Sequence, residues 1–137
     1  MRTLPCVLSI AAAGLLSACA TPDHLPDAQY TLSERQTLTL PPVPRDARLT
    51  LTYEGADDSR CPDNARCMWA GQLAYRFTLR TNNVAQGFWL VQGKPGFTSP
   101  GLRGARVELD PSFVPPPRGM AEEKPASYPV VFNMYGT

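Results

Sequence analysis

The stretch LAYRFTLR, residues 73–80, alternates large apolar side chains with polar ones in a period of two. The large apolar positions share one side and are Leu73, Tyr75, Phe77 and Leu79. Successive side chains of a β-strand point to opposite faces of the sheet. The stretch therefore predicts a strand that has one face in a hydrophobic core and the other in water.

The same period recurs along the chain in further short runs, which are QTLTL (36–40), RLTLTYE (48–54), ARVEL (105–109) and YPVVFNMYG (128–136). A sixth run, GFWLVQG (87–93), is apolar on both sides and predicts a more buried strand. Short alternating runs of this kind are typical of antiparallel β-structure.

Strong breakers separate these runs and oppose helix formation. TNN (81–83) predicts a tight hairpin, because Asn82 and Asn83 tolerate positive φ. Residues 93–104 carry turn signals, and residues 110–127 form a long crossing with many of the 15 prolines. Only GMAEEK (119–124) could form a helical turn. The chain is therefore predicted to be all-β, a single antiparallel β-sandwich or small barrel with little or no helix.

Six aromatic side chains are predicted to lie in the core, because they fall on inward strand positions or beneath a loop: Trp69, Tyr75, Phe88, Trp89, Phe132 and Tyr135. A Trp89 that faced solvent would instead favour ligand stacking.

The N-terminus has the features of a secretory signal. Arg2 precedes an uncharged run of apolar and small residues that is shorter than the ~20 residues of a membrane-spanning helix. The run closes on LSAC, residues 16–19, which resembles the bacterial lipobox. The resemblance implies cleavage before Cys19 and attachment of a diacylglyceryl group to its sulfur. Ala20 in place of Asp then favours the outer membrane, with the domain facing the periplasm.

These observations divide the chain into a signal peptide (1–18), a lipidated Cys19 with an extended tether (19–29) and a β-domain (30–137). Buried acyl chains contribute ~0.8 kcal/mol per methylene, so two or three of them anchor a protein firmly. The chain from Cys19 onward has 12 basic and 12 acidic residues. This balance points to no strongly charged partner and argues against binding to nucleic acid.

The cysteine count predicts one disulfide bond. Cys6 leaves with the signal and Cys19 takes the lipid, so Cys61 and Cys67 remain. Two nearby thiols normally pair in an oxidising compartment. The expected contribution to stability is about 2 kcal/mol for so short a loop.

The loop DDSRCPDNARCMWAG, residues 57–71, holds the candidate binding residues, which are Asp57, Asp58, Arg60, Asp63, Asn64, Arg66 and Trp69. Met68 or Trp69 is expected to pack beneath the loop as a lid, which favours a structural staple. A less favoured hypothesis presents the loop to a protein, with Arg60 and Arg66 as exposed contacts. Asp57, Asp58 and Asp63 are weak calcium candidates, since their spacing misses the EF-hand pattern. Thiolate binding of zinc or copper and redox chemistry are less favoured still, because an oxidised pair offers no thiolate.

The motif DSRCP…C.WAG resembles a segment that recurs in small secreted proteins and lipoproteins of bacteria. The resemblance covers about fifteen residues and implies no activity.

Catalytic chemistry has few residues to work with. His24 is the sole histidine and lies in the tether, and no GxSxG, SxxK or HExxH motif occurs. Glu54 with Glu108 or Asp110 could form a carboxylate pair of the glycosidase type. The run VPPPRG (114–119) could dock as polyproline II, although a stiff crossing is the simpler interpretation.

The sequence therefore predicts a membrane-anchored periplasmic lipoprotein that is not an enzyme and needs no cofactor. Its expected role is a binding or accessory module, with the bilayer and an envelope protein or small ligand as partners. A carboxylate-dependent enzyme acting on cell-wall or glycan substrates and a calcium-dependent binding module are the alternatives.

Overall fold

The computed structural model describes residues 24–41, 48–121, 123 and 128–136. Eight strands occur in this part of the chain: β1 (Ala28–Leu32), β2 (Thr37–Thr39), β3 (Leu49–Asp58), β4 (Leu73–Thr81), β5 (Val84–Val91), β6 (Phe97–Thr98), β7 (Arg106–Leu109) and β8 (Val130–Tyr135). A single 3₁₀ turn covers Pro100–Leu102. The predicted signal peptide and Cys19 lie outside the described residues. So does part of the predicted helical turn at 119–124, and its described residues 119–121 form no helix.

The strands form two antiparallel sheets of four strands each. One sheet has the order β1-β8-β7-β6 and the other has the order β2-β3-β4-β5. Their inward side chains meet in one core, so the predicted antiparallel β-sandwich with little helix is confirmed.

The alternation in residues 73–80 matches the structure. Leu73, Tyr75, Phe77 and Leu79 are buried in β4, and Arg76 and Arg80 are exposed. The predicted turn follows directly, because Thr81 pairs with Val84 around two intervening residues. Asn82 has φ 50°, which an Asn tolerates well.

Aromatic rings from both sheets make the centre of the core. The ring of Phe77 lies 5.4 Å from that of Tyr53, 5.5 Å from that of Phe88 and 5.6 Å from that of Phe132 in the opposite sheet. Phe88 also stacks on Phe97 at 3.7 Å. These contacts join the two sheets, and each buried ring adds a few kcal/mol of hydrophobic stabilisation.

Strand β3 is longer than the alternation of residues 48–54 predicts. The register shifts between Tyr53 and Gly55, where Gly55 has φ 148°, and pairing with β4 then continues to Asp58. A bulge of this kind adds one residue to a strand without ending it. The period of two is broken at Gly55, so a reading based on period ends the strand near Glu54.

The run at 87–93 is not the more buried strand that its composition predicts. Strand β5 lies at the edge of its sheet, with Phe88 and Leu90 buried and the intervening Trp89 51% exposed. The guanidinium carbon of Arg76 lies 5.9 Å from the Trp89 ring centroid. Tyr135 and Trp69 are also exposed, so three of the six predicted core aromatics are wrong. Sequence alternation identifies a face but not whether another layer covers it.

Two short strands escape the sequence patterns. Strand β1 takes in Ala28 and Gln29 and pairs with β8, and Leu25 before it is fully buried. The packed domain therefore begins inside the stretch that the sequence assigns to the tether. Strand β6 has only two residues, paired as Phe97 with Val107 and Thr98 with Arg106, within a segment rich in Gly and Pro. Such short pairings depend on a neighbouring strand more than on local sequence.

Candidate functional site

The candidate site is the long hairpin that joins β3 to β4, residues 59–72. Its two arms continue the ladder beyond the strands, because Ser59 N donates to Gln72 O and Cys61 N donates to Ala70 O, each at 2.9 Å. The segment is therefore a closed extension of the sheet rather than an open loop.

The disulfide closes the far end of this hairpin, as predicted. Cys61 and Cys67 are bonded, with their Cα atoms 5.8 Å apart. A turn inside the ring is marked by the hydrogen bond from Ala65 N to Pro62 O at 3.1 Å. Gly71 completes the geometry, since its φ is 69° and a side chain there would collide with the Ser59 carbonyl. The Gly of the WAG motif is thus required by the close approach of the two arms.

At the base of the hairpin Asp58 and Arg60 form a two-pronged ion pair. Arg60 Nε donates to Asp58 Oδ1 and Arg60 Nη2 donates to Asp58 Oδ2, each at 2.8 Å. The side chains are only 5% and 14% exposed, respectively. Arg60 is therefore not the exposed contact that the sequence predicts, because its charge is neutralised within the fold.

A chain of hydrogen bonds links this pair to the core. Tyr128 Oη donates to Asp58 Oδ2 at 3.2 Å, and Tyr53 Oη donates to the Tyr128 carbonyl at 2.7 Å. The hydrogen bonds from Arg60 hold the pKa of Asp58 below its ordinary value, although burial opposes them. Burial raises the pKa of Tyr53 and that of Tyr128, so both hydroxyls stay protonated and able to donate.

The hairpin also holds the proline-rich crossing in place. Arg60 Nη1 donates to the Pro115 carbonyl at 2.7 Å, and Arg60 Nη2 lies 3.4 Å from that of Pro116. Further along, Met120 N donates to Asn64 Oδ1 at 2.8 Å. These contacts support the stiff-crossing interpretation of residues 114–119, whose carbonyls are used inside the protein.

The tip of the hairpin exposes two large apolar side chains. Met68 is 94% exposed and Trp69 is 76% exposed, so neither forms the predicted lid. Asp63 and Arg66 are exposed beside them. Residues 61–70 extend past the ends of β3 and β4, and residues 66–70 are all exposed. The tip is consequently a rigid projection with an apolar end.

The three calcium candidates are not brought together. Asp57 and Asp58 are successive residues of β3 and point to opposite faces, and Asp58 is already paired with Arg60. Among the residues that the structure describes, no three His, Cys, Asp or Glu side chains form a group suited to a metal.

The carboxylates considered for catalysis are divided between the sheets. Glu54 lies in β3, and Glu108 lies in β7 of the other sheet and pairs with Arg106 at 3.0 Å. Asp110 accepts hydrogen bonds from Ser112 N and Oγ and from Gln29 Nε2. His24 is exposed, and its Nδ1 lies 3.2 Å from the Leu25 carbonyl. The structure therefore does not bring Glu54 together with Glu108 or Asp110 as a carboxylate pair.

Comparison of the chain with protein-family models, with curated proteins and with solved structures finds no match. Within the described residues, no helix has the length and apolar character needed to cross a membrane.

The sequence did not point to three of the residues that fix the site. Tyr128, Pro115 and Met120 contact Asp58, Arg60 and Asn64 across separations of more than 50 residues. The only local signal is at Tyr128, an aromatic residue two positions before the last strand. Contacts through the backbone of Pro115 and Met120 leave no side-chain pattern to detect.

Replacement of Asp58 by Ala should lower the free energy of unfolding by about 3 kcal/mol, because it leaves Arg60 buried without its counter-charge. The pKa of Asp58 is lowered in the folded state, so its stabilisation is present above the unfolded value of about 4 and is lost as pH falls below it. The difference in the free energy of unfolding between wild type and Asp58→Ala should therefore become smaller as the pH falls from 7 to 3. Urea denaturation from pH 7 to pH 3 measures this. Asp57→Ala is the control, with a change within about 0.5 kcal/mol.

Replacement of both Cys61 and Cys67 by Ser should lower the free energy of unfolding by about 2 kcal/mol and leave the β-sheet signal unchanged. The reason is that the aromatic core lies outside the disulfide ring. Urea denaturation followed by circular dichroism tests this. Loss of the folded state in the double variant would contradict it.

Proposed function

We propose that this protein is a lipid-anchored, non-catalytic binding module of the bacterial envelope, and that the tip of hairpin 59–72 contacts a protein partner. The observation that carries the proposal is the exposure of Met68 and Trp69 at the end of a braced hairpin. Trp is enriched among the residues that dominate binding energy at protein interfaces, and Met adapts to irregular surfaces.

Bracing of the hairpin supports a binding role for its tip. The disulfide, the Gly71 turn and the Asp58–Arg60 pair hold the backbone on which Met68 and Trp69 stand. A surface that is already ordered loses less conformational entropy when it binds. The same apolar side chains on a loose loop would give a weaker and less selective contact.

The shape of the site favours a protein over a small ligand. Small-molecule sites are concave and mostly apolar, whereas Met68 and Trp69 protrude. Two clefts flank the base of the hairpin. One holds about 150 Å³ and is lined by polar groups, among them Asp58, Arg60 and Arg118, and the other holds about 550 Å³, has a more apolar lining that includes Ala70, Leu73 and Val91, and is open to solvent. The cleft of about 330 Å³ beside Trp89 is also mainly lined by charged side chains and is open.

The place of the anchor is compatible with a free tip. The described chain enters beside Gly136, whose N–H donates to Asp27 Oδ1 at 2.7 Å, and β1 starts by pairing Ala28 with Met134. Tyr128, at the other end of β8, contacts Asp58 at the base of the hairpin. A lipid on Cys19 would therefore hold the domain from the end opposite to the tip. The LSAC motif supports the anchor and Ala20 supports the outer membrane, with the domain facing the periplasm.

The two alternatives have less support. A calcium-dependent module needs Asp57, Asp58 and Asp63 to converge, and they do not. The carboxylate pair expected for an enzyme does not form, because Glu108 and Asp110 have partners of their own and Glu54 lies in the other sheet. Glu54 instead lines the open cleft beside Trp89, with Glu34 and Asp57.

A photoreactive amino acid at position 68 of the full chain should capture a discrete partner in intact bacterial cells. Trp69→Ala in the same chain should abolish most of the adduct while the melting temperature stays unchanged, because the Trp69 side chain is largely exposed. The control carries the photoreactive group at Tyr135, which is exposed near the chain entry. Equal adducts from both positions, or an adduct unaffected by Trp69→Ala, would contradict the proposal.

Mass spectrometry of the envelope-derived protein should show a chain that begins at Cys19 and carries fatty acyl mass. Cys19→Ser should release the protein from the membrane fraction, because the sulfur that receives the lipid is gone. A wild-type chain that begins elsewhere, or that has no acyl mass, would exclude the anchor.

A further inference from the structure

Strand β5 is the longest unprotected edge in the described part of the molecule. Its eight residues, VAQGFWLV, contain no charged residue and no proline, which are the usual protections of an exposed edge. The other three edge strands are shorter: β2 has three residues, β1 has five and β6 has two. An exposed edge of this kind accepts a further strand.

The backbone groups available on this edge follow from the pairing with β4. Thr81 and Val84 close a two-residue hairpin and form a hydrogen-bonded pair, and such pairs alternate along an antiparallel ladder. Val84, Gln86 and Phe88 therefore use their N–H and C=O groups toward β4. Ala85, Gly87 and Trp89 direct theirs away from it, where no described strand pairs with them.

The side chains of the same three residues are complementary to their own copy. Phe88 and Leu90 point into the core, so Ala85, Gly87 and Trp89 share the outer face. If two β5 strands pair antiparallel with Gly87 opposite Gly87, each Trp89 lies opposite the Ala85 of the other copy. The Trp89 ring lies on the β4 side, 5.9 Å from the Arg76 guanidinium carbon, and it faces only the small Ala85 across the seam, so no two large side chains collide there.

We propose that two copies of this chain associate through β5, antiparallel and centred on Gly87, so that their four-stranded sheets join into one of eight strands. The second copy is favoured over an unrelated strand because this register matches the large side chain with the small ones at both ends. It also brings no like charges together. The inference does not depend on the proposed role of the hairpin tip.

The arrangement is compatible with a shared membrane. The two-fold axis runs perpendicular to the joined sheet, so both β1 strands, where the described chain begins, lie in the same layer. The strands of the two copies run in opposite directions, so the two chain entries lie at opposite ends of the joined strands. Both tethers reach one bilayer when that bilayer faces the layer that contains the two β1 strands. One pair of edge strands involves only a few residues of each copy, and small interfaces of this kind are typically weak, so we expect micromolar affinity in solution. Confinement to a membrane would raise the effective concentration.

A cysteine scan of the full chain in an oxidising envelope tests the register. Gly87→Cys should give a disulfide-linked dimer on a non-reducing gel, because hydrogen-bonded partners have Cα atoms about 5.5 Å apart, within disulfide reach. The site accepts a side chain, since a Cβ at Gly87 would meet only the Phe77 carbonyl at 3.9 Å. Ala85→Cys is the matched control, because the two Ala85 positions would lie about 14 Å apart.

Crosslinking at position 87 that clearly exceeds crosslinking at position 85 supports the dimer. No crosslink at 87, or equal crosslinking at both positions, overturns it. Sedimentation equilibrium of the full chain in mild detergent supplies a test without new cysteines. Gly87→Lys, which opposes two charges, should weaken dimerisation at least tenfold, whereas Thr50→Lys, on the interior strand β3, should not. A wild-type chain that stays monomeric up to several hundred micromolar also overturns the proposal.

Discussion

The ion pair between Asp58 and Arg60 joins three segments that are distant in the sequence. Its carboxylate accepts a hydrogen bond from the hydroxyl of Tyr128, two residues before β8, and its guanidinium donates to the carbonyl of Pro115 in the long crossing. Because both side chains are nearly buried, water cannot replace either partner, and separating the pair would leave a charge without a counter-charge. The hairpin, the crossing and the last strand are therefore held by the same pair, and the tip beyond them has a firm base.

The sheet layers could be predicted from the sequence because alternation directly reports which face is buried. Residues 73–80 show this best, with four inward side chains in the core. Prediction failed where a strand departs from the period or depends on a partner. Gly55 interrupts the alternation as a bulge, and β6 exists because Phe97 lies opposite Val107. Neither event has a local signature strong enough to outweigh the surrounding Gly and Pro residues.

The candidate site was only partly predictable. The Cys61–Cys67 bond was predicted from the cysteine count and the expected oxidising compartment, and the structure confirms the bond itself. The role of Arg60 does not follow, because a loop arginine between polar residues looks solvated until its partner across the fold is known. The prediction for Met68 and Trp69 was wrong for a related reason: their apolar character predicts burial, but both lie past the ends of β3 and β4 and are exposed. Whether an apolar side chain is buried depends on the segment that packs against it, and a short stretch of sequence does not identify that segment.

The chain contains two tryptophans, and both are exposed, whereas all the buried aromatic side chains are tyrosines or phenylalanines. Exposing an indole leaves a large apolar area in contact with water, and this domain does so twice, at positions fixed by rigid backbone. Trp69 stands on a disulfide-closed tip, and Trp89 stands on a strand edge beside Gly87 and Ala85. Trp69 protrudes from the tip of the hairpin, whereas Trp89 lies on an edge strand whose outward N–H and C=O groups pair with no described strand. Different geometries suit different occupants, so we assign the tip to a partner protein and the edge to a second copy of the chain.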